Sequence, residues 1–369
     1  MPPDLRTALA SLRLTLTGWP GACLFAITNV CNAHCDFCGY ARERVPAAKR
    51  VWADLDRAKR ALDALFRRGV RSVTFTGGEP TLHRGLPDMV SHASALGMTT
   101  HLISTGFVLS RALTEQLRDA GLGCLLLSVD AADAVQHEAS RGLQAGFARI
   151  VAANQRAREL GLATAAMVII NRLITDYSAL AAFLTEAGFG AVRFCYPKRT
   201  AYSSSRACSD SSRQIDFSAA ELSQNFLAVQ AIRQQITVLN PEAAVADMIR
   251  HLRDEPERRP CLGGCKSFYL DYNFDLYRCD YWPTPMGRVE SFATLPLVRD
   301  DCARCMSDYF RDAAADQTLA MALADSLHHL SRLRPDRALR VLTTGAVRDS
   351  ARRWWRNAVK TPTAPRPLD

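Results

Sequence analysis

An α/β fold, with β-α units repeated around a parallel sheet, is predicted for residues 21–197. Three observations carry it: short apolar runs alternate with amphipathic stretches, the apolar runs are rich in Leu, Ile, Val, Phe or Thr, and the connections are long enough to cross between parallel strands. Six strands are proposed: Leu24–Thr28, Ser72–Thr76, Thr99–Ser104, Cys124–Val129, Thr164–Ile170 and Ala191–Tyr196. The intervening segments read as helices. Asp54–Arg68 sets Leu55, Ala58, Leu62 and Leu65 at helical spacing, with Arg57, Lys59 and Arg60 on the other side and Gly69 just past the end.

After Pro197 the pattern changes. Ser203–Ser212, rich in Ser, Arg and Asp, reads as a loop or linker. A helical stretch follows over Ala219–Thr237. A cysteine-rich region, 258–312, holds a hairpin of Phe268–Asp271 and Leu276–Cys279 around Tyr272–Asp275. These changes divide the chain into an extension over 1–20, a core over 21–217, a helical connector over 218–257, a cysteine domain over 258–312 and a helical basic tail over 313–369.

The 369 residues, 48% hydrophobic and 22% charged, suffice for a sizeable core and exclude disorder over most of the length. No run approaches the roughly 20 apolar residues that cross a bilayer, and no export signal opens the chain, so a cytoplasmic location is expected. The net charge of +9 is concentrated at the end: His328–Asp369 holds ten Lys/Arg against three Asp/Glu, +7, leaving about +2 for the rest. Nucleic acid is therefore not the expected partner. Within that tail, Arg352-Arg353-Trp354-Trp355-Arg356 suits either peripheral contact with a membrane or packing of the indoles on the fold.

Twelve cysteines are many for a reducing compartment, where clustered thiols more often hold metal than form disulfides. Cys31, Cys35 and Cys38 follow the first strand. Three thiolates at a strand's mouth can wrap an iron–sulfur cube that takes four ligands, leaving one iron open. A tetrahedral zinc site of these cysteines with His34 is the alternative. The CxxxCxxC spacing, with aromatic Phe37 before the last cysteine, resembles the radical S-adenosylmethionine superfamily. Gly77-Gly78-Glu79-Pro80, one β-α unit later, is similar to its methionine-binding segment.

The resemblance implies a partial (β/α)6 barrel, a [4Fe–4S] cluster on Cys31, Cys35 and Cys38, and S-adenosylmethionine chelated at the open iron. Reductive cleavage would yield a 5′-deoxyadenosyl radical that abstracts hydrogen from a substrate. Phe37, Gly77, Gly78 and Glu79 become cofactor-binding candidates. Ser128, in a segment similar to the family's Ser-x-Asp, and Asn171, after the fifth strand, join them. Asn171 could equally cap a helix, and Asp130 with Arg141 could form a structural ion pair. Ser104-Thr105-Gly106 departs from relatives, which often carry Asn-Gly there.

The late cysteines, a hairpin pair followed by Cys302-Ala303-Arg304-Cys305, look like the shortened SPASM type of auxiliary domain, called twitch. This implies a second [4Fe–4S] cluster. The family's spacing favours Cys261, Cys279, Cys302 and Cys305 over a set containing Cys265. The family's hairpin glycine falls at Phe274, where Asn273 is expected to supply the left-handed residue. Zinc in a four-thiolate knuckle is again the alternative. Cys23, Cys124 and Cys195 read as small buried hydrophobes, and Cys208 as incidental. Tyr196, Tyr272, Asp280 and Tyr281 are possible lining groups.

The resulting expectation is an enzyme acting on a small molecule or lipid, since the residues before Gly21 are too few for a peptide-recognition domain. It would be served by an electron donor such as flavodoxin or ferredoxin. A radical maturase of ribosomally made peptides is one alternative; a zinc-bearing nucleic-acid-binding protein is another, from a different class.

Overall fold

The computed structural model describes residues 21–344 and Val347, apart from positions 201, 301, 306, 332 and 333. The extension over 1–20 and the Trp354-Trp355 segment lie outside them. Two compact units divide the chain, residues 21–313 and residues 314–369 with 1–20.

In the first unit, β1 (Gly21–Ala26), α1 (Leu55–Arg67), β2 (Val70–Thr76), α2 (Leu86–Ala95), β3 (Thr99–Ser104), α3 (Arg111–Asp119) and β4 (Cys124–Ser128) follow one another. Then come α4 (Ala134–Arg141), α5 (Gly146–Glu159), β5 (Ala163–Ile169), α6 (Tyr177–Glu186) and β6 (Ala191–Cys195). All six expected strands are present. Every strand from β1 to β6 pairs in parallel with the next, always on the same side, so the sheet progresses as a barrel does without closing by hydrogen bonds. The fold is therefore the expected α/β class with a partial barrel of β-α units.

Local chemistry explains the elements. Asp54 caps α1 by accepting from Arg57 N, and Ala58, Ala61, Leu62 and Leu65 form its buried stripe. Asp133 and Asp176 cap α4 and α6 in the same way. The alternate residues of β1 and β2 that face the helices, Cys23, Phe25, Val73 and Phe75, join one continuous core with Leu62, Met89 and Val90.

Two expectations are corrected beyond β6. The helix expected over Ala219–Thr237 is α7 (Ala219–Ala231), followed by one 3-10 turn and a short strand, β7 (Thr237–Val238), paired in parallel with β6. The β-branched pair Thr237-Val238 prefers the pleated edge to a helix, and Asn240 locks the edge by pairing both backbone groups of Phe194 at 2.7 and 2.8 Å. After α8 (Glu242–Leu252) the hairpin is β8 (Ser267–Leu270) and β9 (Asp275–Tyr277), continued by an unanticipated third strand, β10 (Gly287–Arg288). Here Phe274 itself, not Asn273, is left-handed, with φ 68°. Asp271 holds that turn by accepting from the backbone of Asn273 and Asp275, each at 2.9 Å, while the Phe274 ring is buried under the Arg57 guanidinium at 4.3 Å.

The hairpin is not a separate layer: β8 pairs in parallel with β1, giving the order β10-β9-β8-β1-β2-β3-β4-β5-β6-β7. The chain ends in α9 (Asp308–Ser331) and α10 (Pro335–Leu342). None of the described helices is long and apolar enough to cross a membrane.

Candidate active site

Strand ends build the site. A cavity of about 200 Å³ opens at the C-terminal mouths of β1 to β6, where such barrels gather their chemistry. Ala26, Gly77, Ile103, Ser128, Met167 and Cys195 line it from successive strands, and Phe37 and Cys38 reach it from the cysteine loop. Arg141, Tyr196, Lys198, Tyr269, Asp280, Asp308 and Tyr309 complete its polar wall.

Cys31, Cys35 and Cys38 share one apolar group with Phe37, Leu143 and Ile215. Burial pushes the Cys31 thiol up to about 11 and Cys35 to about 12, and Cys38 is raised by burial and by its two neighbours. Bare thiols here keep their protons at neutral pH, and iron would displace them. His34, the fourth ligand of the zinc alternative, instead pairs with Glu43 at 2.8 Å. Among the described residues no three His, Cys, Asp or Glu side chains converge tightly enough to hold a single ion. A four-iron cube needs no such convergence, because each thiolate takes its own iron. The donor set fits a cube.

The Gly-Gly turn is shaped by contact with that loop. Gly78 N donates to Thr28 O and Glu79 N to Val30 O, both at 2.8 Å, so the end of β2 is laced to the segment entering Cys31. Gly77 has φ 127°, in the range that favours glycine. Gly77 and Gly78 line the cavity; Glu79 does not. Its fully buried carboxylate accepts from Thr81 N at 3.0 Å, Ser104 Oγ at 2.8 Å and Thr105 N at 2.6 Å, and also from the Thr81 hydroxyl. Glu79 thus ties the ends of β2 and β3 together, with the Ser104 hydroxyl and the Thr105 amide among its donors.

Ser128 is on the wall. Asn171 is set back from it: Nδ2 donates to Asp130 O and Ile169 O at 2.8 Å, and Oδ1 accepts from Leu173 N at 2.8 Å. Asp130 and Arg141 form a buried bidentate pair, at 2.8 and 2.7 Å. Burial works against the Arg141 charge, but the Asp130 carboxylate more than offsets it and holds the guanidinium above its ordinary value. Removing one member of such a pair strands a buried charge.

His137, buried beside the pair, accepts from Asp130 N at 3.1 Å through Nδ1. Burial pushes its ring down from 6.5 to about 4, so the folded protein keeps it neutral. Unfolding then takes up a proton between those limits. Stability from this group is complete above pH 6.5 and declines as pH falls toward about 4, by up to about 1.4 kcal/mol per pH unit. We expect the urea midpoint to drop between pH 7.5 and 5 and His137→Asn to flatten part of that drop; an unchanged slope in the variant would assign the drop to other groups.

In the second cysteine group, Cys261 and Cys279 are buried with Tyr40, Tyr269, Tyr272 and Phe310, and Cys302 packs against them. Cys305 and Cys261 raise Cys279, Cys302 raises Cys261, and burial pushes Cys305 up to about 11. Burial is the main cause of each rise, and Cys261 lies close enough to Cys279, Cys302 and Cys305 for the thiols to add to it. The four-thiol set again fits a cluster.

Sequence reasoning missed several residues. The segment read as a linker lies over the first cysteine loop: Gly39 N donates to Arg206 O at 2.7 Å, Ser212 Oγ to Asp36 Oδ2 at 2.9 Å, and Ser205 and Ala207 line the cavity. Cys195, read as a buried hydrophobe, also lines it. Lys198, Asp308 and Tyr309 carried no motif. Of the suggested lining groups, Tyr196 and Asp280 reach the cavity.

A partial barrel with a thiol triplet at its mouth and a second thiol group beside it is the arrangement expected of an iron–sulfur enzyme that uses S-adenosylmethionine. Residues 25–177 match the Radical SAM superfamily, and the cofactors that this match implies for that segment are a [4Fe–4S] cluster and S-adenosylmethionine. Its sequence is 34% identical over 157 residues to the PqqA peptide cyclase of Rhodopseudomonas palustris, covering 42% of this chain and 41% of that protein. With the PqqA peptide cyclase of Streptomyces rochei it is 29% identical over 159 residues, 42% of each. The chain thus matches about two fifths of the length of these curated relatives. By fold it is similar to Streptococcus suis SuiB bound to precursor peptide SuiA, with a TM-score of 0.57 at 14% identity over 83% of this chain and 74% of that one. It also resembles anSMEcpe with bound AdoMet, with a TM-score of 0.54 at 13% identity over 92% of this chain and 97% of that one.

Proposed function

We propose that the chain modifies a peptide by hydrogen abstraction, with Cys31, Cys35 and Cys38 holding the S-adenosylmethionine-binding cluster and Cys261, Cys279, Cys302 and Cys305 an auxiliary one. The observation that carries it is the cavity at the strand mouths, bordered by Cys38 on one side and by Asp280, next to Cys279, on the other. A substrate there would lie against Cys38 and against the residue that follows Cys279. The small-molecule or lipid preference gives way because the sequence relatives are cyclases of a peptide.

When bound, cluster and cofactor supply the 5′-deoxyadenosyl radical. The chain's part is positional. Gly77 and Gly78 bring backbone to the cofactor's methionine end, while Ser128 and Arg141 offer a hydroxyl and a guanidinium on the same wall. Phe37, Ile103, Met167 and Ile169 keep water from the reacting centre. Electrons must come from a one-electron donor such as flavodoxin or ferredoxin.

Deuterium tests this reading. Cells that make the protein are grown in deuterated medium, and their peptide, metabolite and lipid fractions are each incubated with reconstituted enzyme, S-adenosylmethionine and dithionite. Deuterium should enter 5′-deoxyadenosine from the peptide fraction. Transfer from the metabolite or lipid fraction alone would overturn the peptide reading.

A further inference from the structure

Asp308, the first residue of α9, faces the cavity with a carboxylate that is buried yet lacks a partner. The residue is 5% exposed. Among the described residues no other side chain hydrogen-bonds to it; the backbone amide of Asp308 itself is the donor it has.

The neighbouring charges are already matched. Arg193 Nη2 donates to Asp312 Oδ2 at 2.8 Å, and the Tyr196 hydroxyl to Asp312 Oδ1 at 3.2 Å. Lys198 is paired with Asp280, which also accepts from Ser307 Oγ at 2.9 Å. Arg141, elsewhere on the wall, is held by Asp130. Lys198 and Arg193 act on Asp308 from a distance, but each is bonded to another carboxylate. Burial pushes the Asp308 carboxyl up, toward its neutral form, and once ionised it would leave this side of the cavity one negative charge in excess.

An uncompensated buried carboxylate is costly, and a ligand cation that pairs with it recovers that cost. Asp308 lines the cavity with Lys198 and Asp280, and Lys198, Arg193 and Asp280 are the charged groups that act on it. Leu24, Ile103, Met167 and Ile169 on the same wall suit an aliphatic stem.

We infer that Asp308 is the counter-charge for a cationic group of the substrate, an ammonium or guanidinium on an aliphatic chain. On the peptide reading above, on which the identity of that chain rests, this is a Lys or Arg side chain.

The test uses reconstituted holoenzyme with S-adenosylmethionine bound, titrated with n-butylammonium, n-butylguanidinium and, as neutral control, n-butanol. At least one cation should bind at least about tenfold more tightly than butanol, Asp308→Asn should abolish that preference, and Asp308→Glu should restore part of it. Equal binding of cations and alcohol, or a preference that survives in Asp308→Asn, overturns the assignment. So does weakened S-adenosylmethionine binding in Asp308→Asn with amine binding intact, which would give Asp308 to the cofactor. Amine recognition by Asp308 without deuterium transfer from peptides would sink the peptide reading and leave this one standing.

Discussion

Cys35→Ala should reduce 5′-deoxyadenosine formation from S-adenosylmethionine to background while leaving the protein folded. Cys35 is buried between Phe37, Leu143 and the other two thiols of its loop. Deleting one sulfur from that packing costs only about 1 kcal/mol, because no hydrogen-bonded network depends on it. The cluster is another matter. With two protein thiols in place of three, the cube loses a corner that no nearby donor replaces, since His34 is turned to Glu43. Iron should fall by about four of about eight atoms per chain, with circular dichroism unchanged. Full turnover in Cys35→Ala, measured anaerobically with dithionite, would remove the triplet from the chemistry. Cys265→Ala should keep all of its iron.

The second large effect needs no thiol. Gly78→Ala should prevent assembly of the same cluster by a purely steric route. A β-carbon at Gly78 would lie 2.1 Å from Val30 O and 2.4 Å from Val30 C. Both are backbone atoms, and the peptide they belong to leads into Cys31. Gly77 is equally crowded, 2.2 Å from Thr28 O. Neither strand end can withdraw, because Gly78 N and Glu79 N are bonded across the gap and Glu79 is anchored to β3. Overpacking of this kind costs about 3 kcal/mol or more. Denaturant titration should show that loss, and reconstituted Gly78→Ala should hold only the iron of the second site. A variant with wild-type stability and iron would show that the turn can rearrange.

The six parallel strands were legible because each is an apolar run followed by a helical stretch, several of them capped by Asp or Ser, and the cysteine triplet because metal spacing is local. The second group was harder, since four sulfurs come from three separate segments. Tertiary demands hid the rest. Phe274 accepts a left-handed backbone because Asp271 fixes the turn and Arg57 covers the ring, two partners far apart in sequence. Asn171 and Glu79 looked like ligand-binding groups, yet their polar atoms are spent on backbone and neighbouring side chains. Asp308 and Lys198 carry no motif at all, and only the folded chain shows that they face one space. The Arg352–Arg356 segment with Trp354 and Trp355 lies outside the described residues, so its membrane contact stays an expectation.

The parallel pairing of β8 with β1 ties the two cysteine groups to adjacent ribbons of one sheet. Ala22, Cys23, Leu24 and Phe25 are hydrogen-bonded on one edge to Ser267–Leu270 and on the other to β2. A cluster assembled on either group would be expected to stiffen the scaffold of the other. Thermal melting of residues 21–313 should be cooperative, and protein loaded at one centre alone should exchange amide hydrogens more slowly around the vacant one.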